Sequence, residues 1–244
     1  MRRSASLLAC VNWAWISPRC AGRAWSCPYF DRDFLHVREI IESGLLGDIF
    51  LIKLYRHQFQ RRNDWQTLKE FGGGQLLNWG PHIIDHALQL MQSPSRLMWS
   101  HLNRIQAAGD AEDHVKLILQ GDNDRVVDIE ISGGMPLPTP LYQVYGTRGS
   151  LSLAGSEITL KYLDRKVAMP KLEADPGTPQ QSFGQSGTFQ AAKMEWTEEC
   201  IPVRPAVETD FWEELYRSIR LNKPFPVTTE DALNVVRMVE AARQ

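Results

Sequence analysis

The residues best equipped for chemistry in this chain sit in one run, Gly72-Gly73-Gly74-Gln75-Leu76-Leu77-Asn78-Trp79-Gly80-Pro81-His82-Ile83-Ile84-Asp85-His86. The imidazole of His82 has an ordinary pKa of about 6.5, which suits it to take or give a proton near neutral pH. Asn78 lies four residues earlier, so on a helix the two share a face and present an amide and an imidazole to one small molecule. The amide is neither acid nor base. Its task is to hydrogen-bond a substrate or steer the ring, with a helix N-cap as the structural alternative. Asp85 can orient the His82 ring or cap nearby backbone. Trp79 and Pro81 flank the pair, where they shape a pocket or simply join the core.

The elements that must hold these groups follow from the same run. Three glycines permit a backbone approach that no side chain could occupy. They lead into a helical pattern of Leu76, Leu77, Ile83, Ile84, Ala87, Leu88 and Leu90, read as a helix over 76–92. Pro81 allows a second register, in which it opens the helix and leaves Asn78 just outside. His82 and His86, at i and i+4 around Asp85, also fit an inverted zinc-protease pattern with Asp in place of Glu. The shorter acid and the lack of a clear third ligand argue against a metal, so none is expected, and His86 reads as structural.

The arrangement G-G-G-x-L-x-(D/N)-x-G-x-H-x-x-D resembles the signature of the Gfo/Idh/MocA family of NAD(P)-dependent sugar and polyol oxidoreductases. Asn222-Lys223-Pro224-Phe225-Pro226-Val227 resembles the family as well. The resemblance implies that Asn78 and His82 form the catalytic pair, acting on a substrate hydroxyl while hydride passes to nicotinamide. Asparagine stands where the family often has aspartate, which puts a carboxylate-assisted relay in doubt. Trp79, Asp85 and Arg56 are the candidate substrate contacts, and a carbohydrate or polyol is the expected ligand. The resemblance covers about residues 29–244, the substrate and oligomerisation half of the family. No G-x-G-x-x-G fingerprint and no Glu-Lys-Pro motif occurs, so NAD or NADP is implied by the family but binding by this chain alone is not expected. A homo-oligomer formed through the sheet face is the further implication. A non-catalytic oligomerisation or interaction module is the alternative function.

Composition sets the frame. A formal net charge of −2 with both signs scattered gives no electrostatic case for nucleic acid or a membrane surface. No apolar run approaches the roughly 20 residues of a membrane-spanning helix. The four cysteines, at 10, 20, 27 and 200, have neither zinc nor disulfide-framework spacing. A soluble, cytoplasmic chain is expected. Residues 1–28 differ from the rest: they hold three of the cysteines, precede the first acidic residue at Asp31, and read as an atypical extension, targeting-like or the product of a misplaced start.

Along the remainder, Phe34, Val37, Ile40 and Ile41 mark an amphipathic helix stopped by Ser43-Gly44, and Ile49–Tyr55 reads as a strand. Arg56, His57, Arg61 and Arg62 then read as a solvated loop or as substrate contacts. Strand-like runs follow at 97–106, 114–120, 126–132, 141–145, 150–153 and 158–162, separated by turn formers. Residues 164–205 read as a long irregular excursion. Two helices close the chain, over 207–221 and from a cap at Thr228 or Thr229. Closely spaced strands with short turns predict an α+β fold, a mostly antiparallel open sheet with helices packed on one face.

Overall fold

The computed structural model describes residues 31–171, 173, 194–205 and 209–244. The segment 1–28, much of the expected excursion and the first residues of the helix expected from Val207 lie outside these. The first described element, α1 (Arg32–Glu42), begins where the Asp31 carboxylate accepts from the backbone N–H groups of Asp33 and Phe34. It ends at Ser43, and the chain turns through left-handed Gly44 and Gly47 into β1 (Ile49–His57).

The glycine-led run is not one helix. Proline has no N–H to donate, so Pro81 cannot close the turn back to Leu77. The run divides into α2 (Gln75–Asn78) and α3 (Gly80–Met91), joined at Trp79, which keeps right-handed dihedrals. Asn78 therefore ends the short turn, and His82 stands in the first turn of α3.

The strands β2 (Ser95–Asn103), β3 (His114–Gly121), β4 (Val126–Ser132), β5 (Tyr142–Gly146), β6 (Gly149–Ala154), β7 (Glu157–Tyr162) and β8 (Thr197–Pro202) follow. With β1 they form one eight-stranded sheet in the order β2-β3-β4-β1-β5-β6-β7-β8. Every neighbouring pair is antiparallel except β1 with β4, which is parallel. The helices α4 (Thr209–Leu221) and α5 (Thr229–Ala241) close the chain, and α5 starts in a capping box between Thr228 and Asp231. The expected α+β, mostly antiparallel open sheet is the observed fold.

Period-two alternation sends Ile52, Leu54, Leu117, Ile129, Val144 and Leu151 to one face. There they share a single core with Phe34 and Val37 of α1, Ile84 and Leu90 of α3, and Val235 and Val239 of α5. Arg125 is buried beneath α3 and donates to the carbonyls of Leu90 and Met91, satisfying orphan acceptors at the helix C-terminus.

Three expectations from the sequence are corrected here. Arg56 and His57 belong to β1 rather than to a loop. The first run of the sheet ends at Asn103 instead of Gln106, because the Asp113 carboxylate takes the N–H groups of Ile105, Gln106 and Ala107 at 2.6, 2.8 and 2.8 Å. The stretch 164–205 contains β8, an edge strand whose exposed Glu198 and Glu199 hide its strand character because only one side of it is paired.

Candidate active site

The site is assembled around the glycines. Gly73 and Gly74 pack so closely on neighbouring chain that an added Cβ would sit 2.5 Å from the Gln66 carbonyl oxygen and 2.2 Å from the Glu112 carboxylate, respectively. Gly74 also has φ +111°, a conformation that side-chain-bearing residues avoid. Their N–H groups donate to Leu68 and Gln66. The Glu112 Oε1 then accepts from Leu76 N–H at 3.1 Å, and Gln75 N–H donates to the Glu112 carbonyl. Both orphan donors at the start of α2 are thus held from the 105–113 loop, which fixes where Gln75 and Asn78 point.

His82 belongs to a second, more aromatic wall. Its ring lies 5.6 Å from the Trp79 ring, and the Arg56 guanidinium carbon stands 3.5 Å from the Trp79 centroid. Arg56 reaches this wall because it shares the strand face of Ile52 and Leu54. Burial lowers the pKa of His82, and the Arg56 charge lowers it further, so the imidazole is neutral at neutral pH and available to accept a proton. The structure thus brings His82, Trp79 and Arg56 together.

Asn78 faces a different neighbourhood. It donates from Nδ2 to Gln66 Oε1 at 3.4 Å and lines a pocket with Gln60, Arg62, Gln66, Thr67, Gln75 and Glu112. Asp85 is not among these groups. It is 1% exposed, accepts from Gln89 Nε2 at 3.0 Å, and its pKa is pushed up to about 6, chiefly by burial and in part by nearby Asp231. His86 turns elsewhere too: it stacks on Phe34 at 4.4 Å and its Nδ1 meets the Tyr142 hydroxyl at 2.7 Å. The two imidazoles of the zinc-like pattern therefore do not converge. Among the described residues no group of three His, Cys, Asp or Glu side chains is placed to hold a metal ion.

Gln60, Gln66 and Gln75 were not singled out by the sequence. Gln75 had a signal, since it sits between the last glycine and the first buried leucine of the motif. Gln66 had none, because it reaches the pocket from a short 3₁₀ turn, Trp65–Thr67, that only the tertiary fold places there.

The glycine run does not fit a dinucleotide. A phosphate cradle needs glycines after a strand with free N–H groups facing an open space. Here the run follows a 3₁₀ turn, Lys69–Phe71, its N–H groups are already donated to backbone carbonyls, and its open side is filled by Gln66 and Glu112.

Residues 34–152, from α1 through β6, match the GFO/IDH/MocA C-terminal domain, and this part of the chain belongs to that family. The chain is 27% identical over 223 residues to the scyllo-inositol 2-dehydrogenase (NADP(+)) IolW of Bacillus subtilis, covering 88% of this chain and 59% of that protein. It is 34% identical over 179 residues to an uncharacterised oxidoreductase of Schizosaccharomyces pombe, C26H5.09c, covering 69% and 45%. An oxidoreductase from Bacillus cereus shares the fold with a TM-score of 0.67 at 17% identity, over 88% of this chain and 62% of that one. The chain thus spans about 60% or less of the length of these two curated relatives.

Proposed function

We propose that residues 29–244 form the substrate-holding part of an oxidoreductase that acts on a hydroxyl of a sugar, cyclitol or related polyol. In this reading NAD or NADP is held outside the described residues, and the protein works in the cytoplasm. One observation carries it: a half-buried His82, kept neutral by burial and by Arg56, stands beside Trp79 in the first turn of α3, four residues after Asn78. His82 accepts the hydroxyl proton, and Asn78 orients the hydroxyl from the amide-lined pocket. Trp79 and Arg56 form the wall against which a ring of C–H groups can lie. Kinship with an inositol dehydrogenase supports a cyclitol-sized ligand.

The test is ligand binding by the purified chain. Saturation-transfer NMR with inositols and hexoses is expected to show binding that Asn78→Ala and His82→Ala weaken, while NADH and NADPH fluorescence titrations show no saturation. Failure of the wild-type chain to bind any polyol, or indifference of binding to both variants, would refute the reading.

A second reading, a module that pairs with another copy through the open sheet face, is favoured by one feature. On that face Trp99, 52% exposed, neighbours Ile118 across the β2–β3 ladder. Beside them Lys116 bridges Asp128 and Glu130 at 2.7 Å each, and the Tyr55 hydroxyl donates to Asp128 at 2.7 Å. Sedimentation at rising concentration is expected to show a homo-oligomer that Trp99→Glu dissociates.

A further inference from the structure

We infer that Gln75 is a specificity-determining residue of the proposed site, its Oε1 accepting a second polyol hydroxyl, distinct from the one handled by His82. This rests on the function proposed above. The Oε1 of Gln75 is buried and has no hydrogen-bond donor in the protein. Buried acceptors without a donor are rare in folded proteins, and one that lines a pocket calls for a donor from outside the chain.

Several surrounding groups are directed elsewhere. Arg62 directs Nε to Asp64 Oδ1 at 3.1 Å and Nη2 to Gln66 Oε1. The Nδ2 of Asn78 is directed at the same Gln66 oxygen. Glu112 has only acceptors to offer and commits one oxygen to Leu76 N–H. The backbone that carries Gln75 is fixed, its own N–H tied to the Glu112 carbonyl at 3.0 Å and the preceding Gly74 N–H to Gln66.

The chemistry of the lining then selects the ligand class. Four amide side chains, from Gln60, Gln66, Gln75 and Asn78, face the pocket. The carboxylates there are engaged by backbone N–H groups, those of Asp113 by Ile105, Gln106 and Ala107. Amides offer paired donors and acceptors without net charge, which matches the hydroxyls of a neutral polyol, each at once donor and acceptor. A hydroxyl donating to Gln75 Oε1 and accepting from a neighbouring amide would satisfy both partners.

The experiment is an NMR titration of the full chain with scyllo-inositol and myo-inositol. Gln75→Met keeps the length of the side chain but removes the acceptor and is expected to weaken affinity about tenfold, the loss of one hydrogen bond from a buried site. Gln75→Glu retains the acceptor oxygen and is expected to stay within about threefold of wild type. Melting curves establish that each variant is folded. In wild type the Gln75 side-chain amide resonances should move on adding polyol, a reading that needs no variant. Wild-type binding with unmoved Gln75 resonances, or with unchanged affinity in folded Gln75→Met, would overturn the inference while leaving the proposed function standing. Absence of polyol binding by wild type would instead overturn the function on which it rests.

Discussion

Gly74→Ala is the sharpest probe of how the motif is built. Holding alanine at φ +111°, ψ 151° costs about 1–3 kcal/mol. The new methyl carbon would also lie 2.2 Å from the Glu112 Oε1, so that carboxylate must swing away from Leu76 N–H. A hydrogen bond to a charged group contributes about 1.5–3 kcal/mol. The two effects together predict a loss of about 2.5–6 kcal/mol, a large part of the roughly 5–15 kcal/mol that a typical domain has. Urea unfolding of wild type, Gly74→Ala, Glu112→Ala and the double variant separates them. Because the bond to Leu76 can be lost only once, the double variant should be less destabilised than the sum of the singles by about 1.5–3 kcal/mol. Strict additivity would show that the carboxylate is not displaced, and a Gly74→Ala loss below about 1 kcal/mol would show that neither the dihedral nor the carboxylate makes glycine necessary here.

Other expectations concern titration. Arg56→Met removes the lesser of the two causes that depress His82, so the imidazole midpoint followed by NMR should rise yet stay below that of a free histidine. Asn78→Asp introduces a carboxylate four residues before His82 and should also raise that midpoint, whereas Asn78→Ala should not. Asp85 has a folded pKa near 6 against an ordinary 3.8, so the folded state binds the extra proton between these values and stability falls as pH rises through that window. Asp85→Asn should remove a penalty of about 3 kcal/mol above pH 7, change little below pH 4, and keep Gln89 as partner; equal pH slopes in the two proteins would refute the assignment.

Much of the fold was legible because its signals are local. Asp31 and Thr228 announce helix starts, and the alternation carries through to buried and half-exposed faces along all of β3 and along β4 as far as Ile131. Tyr142 and Tyr145, three apart on β5, face opposite ways as strand parity requires, the first 1% exposed. What escaped depends on contacts distant in sequence. The end of β2 is set by Asp113, ten residues beyond Asn103. Likewise β8 exists because β7 offers it a partner. Within the site, His82 and Asn78 stood out by spacing, and Trp79 by adjacency. Arg56 precedes them across a loop with two 3₁₀ turns, and only the face parity of β1 shows that its cation lies over Trp79. Asp85 looked equivalent to the others in the motif, yet the register of α3 turns it toward the neighbouring helix.

The two walls of the site have opposite electrostatic characters, and this constrains any chemistry performed there. On one side burial and Arg56 disfavour imidazolium, so His82 is a ready but weak acceptor whose protonated form is costly. On the other, amides bind without titrating. With asparagine at 78 the site has no carboxylate at that position to stabilise the imidazolium, and Asp85, the nearest acid in the motif, is committed to Gln89 and already costly to ionise. A proton taken by His82 is therefore held only briefly and must pass onward to solvent or to the returning hydroxyl. Such a base works best where the substrate is positioned by other groups, and in the proposed reading the amide-lined pocket supplies that positioning.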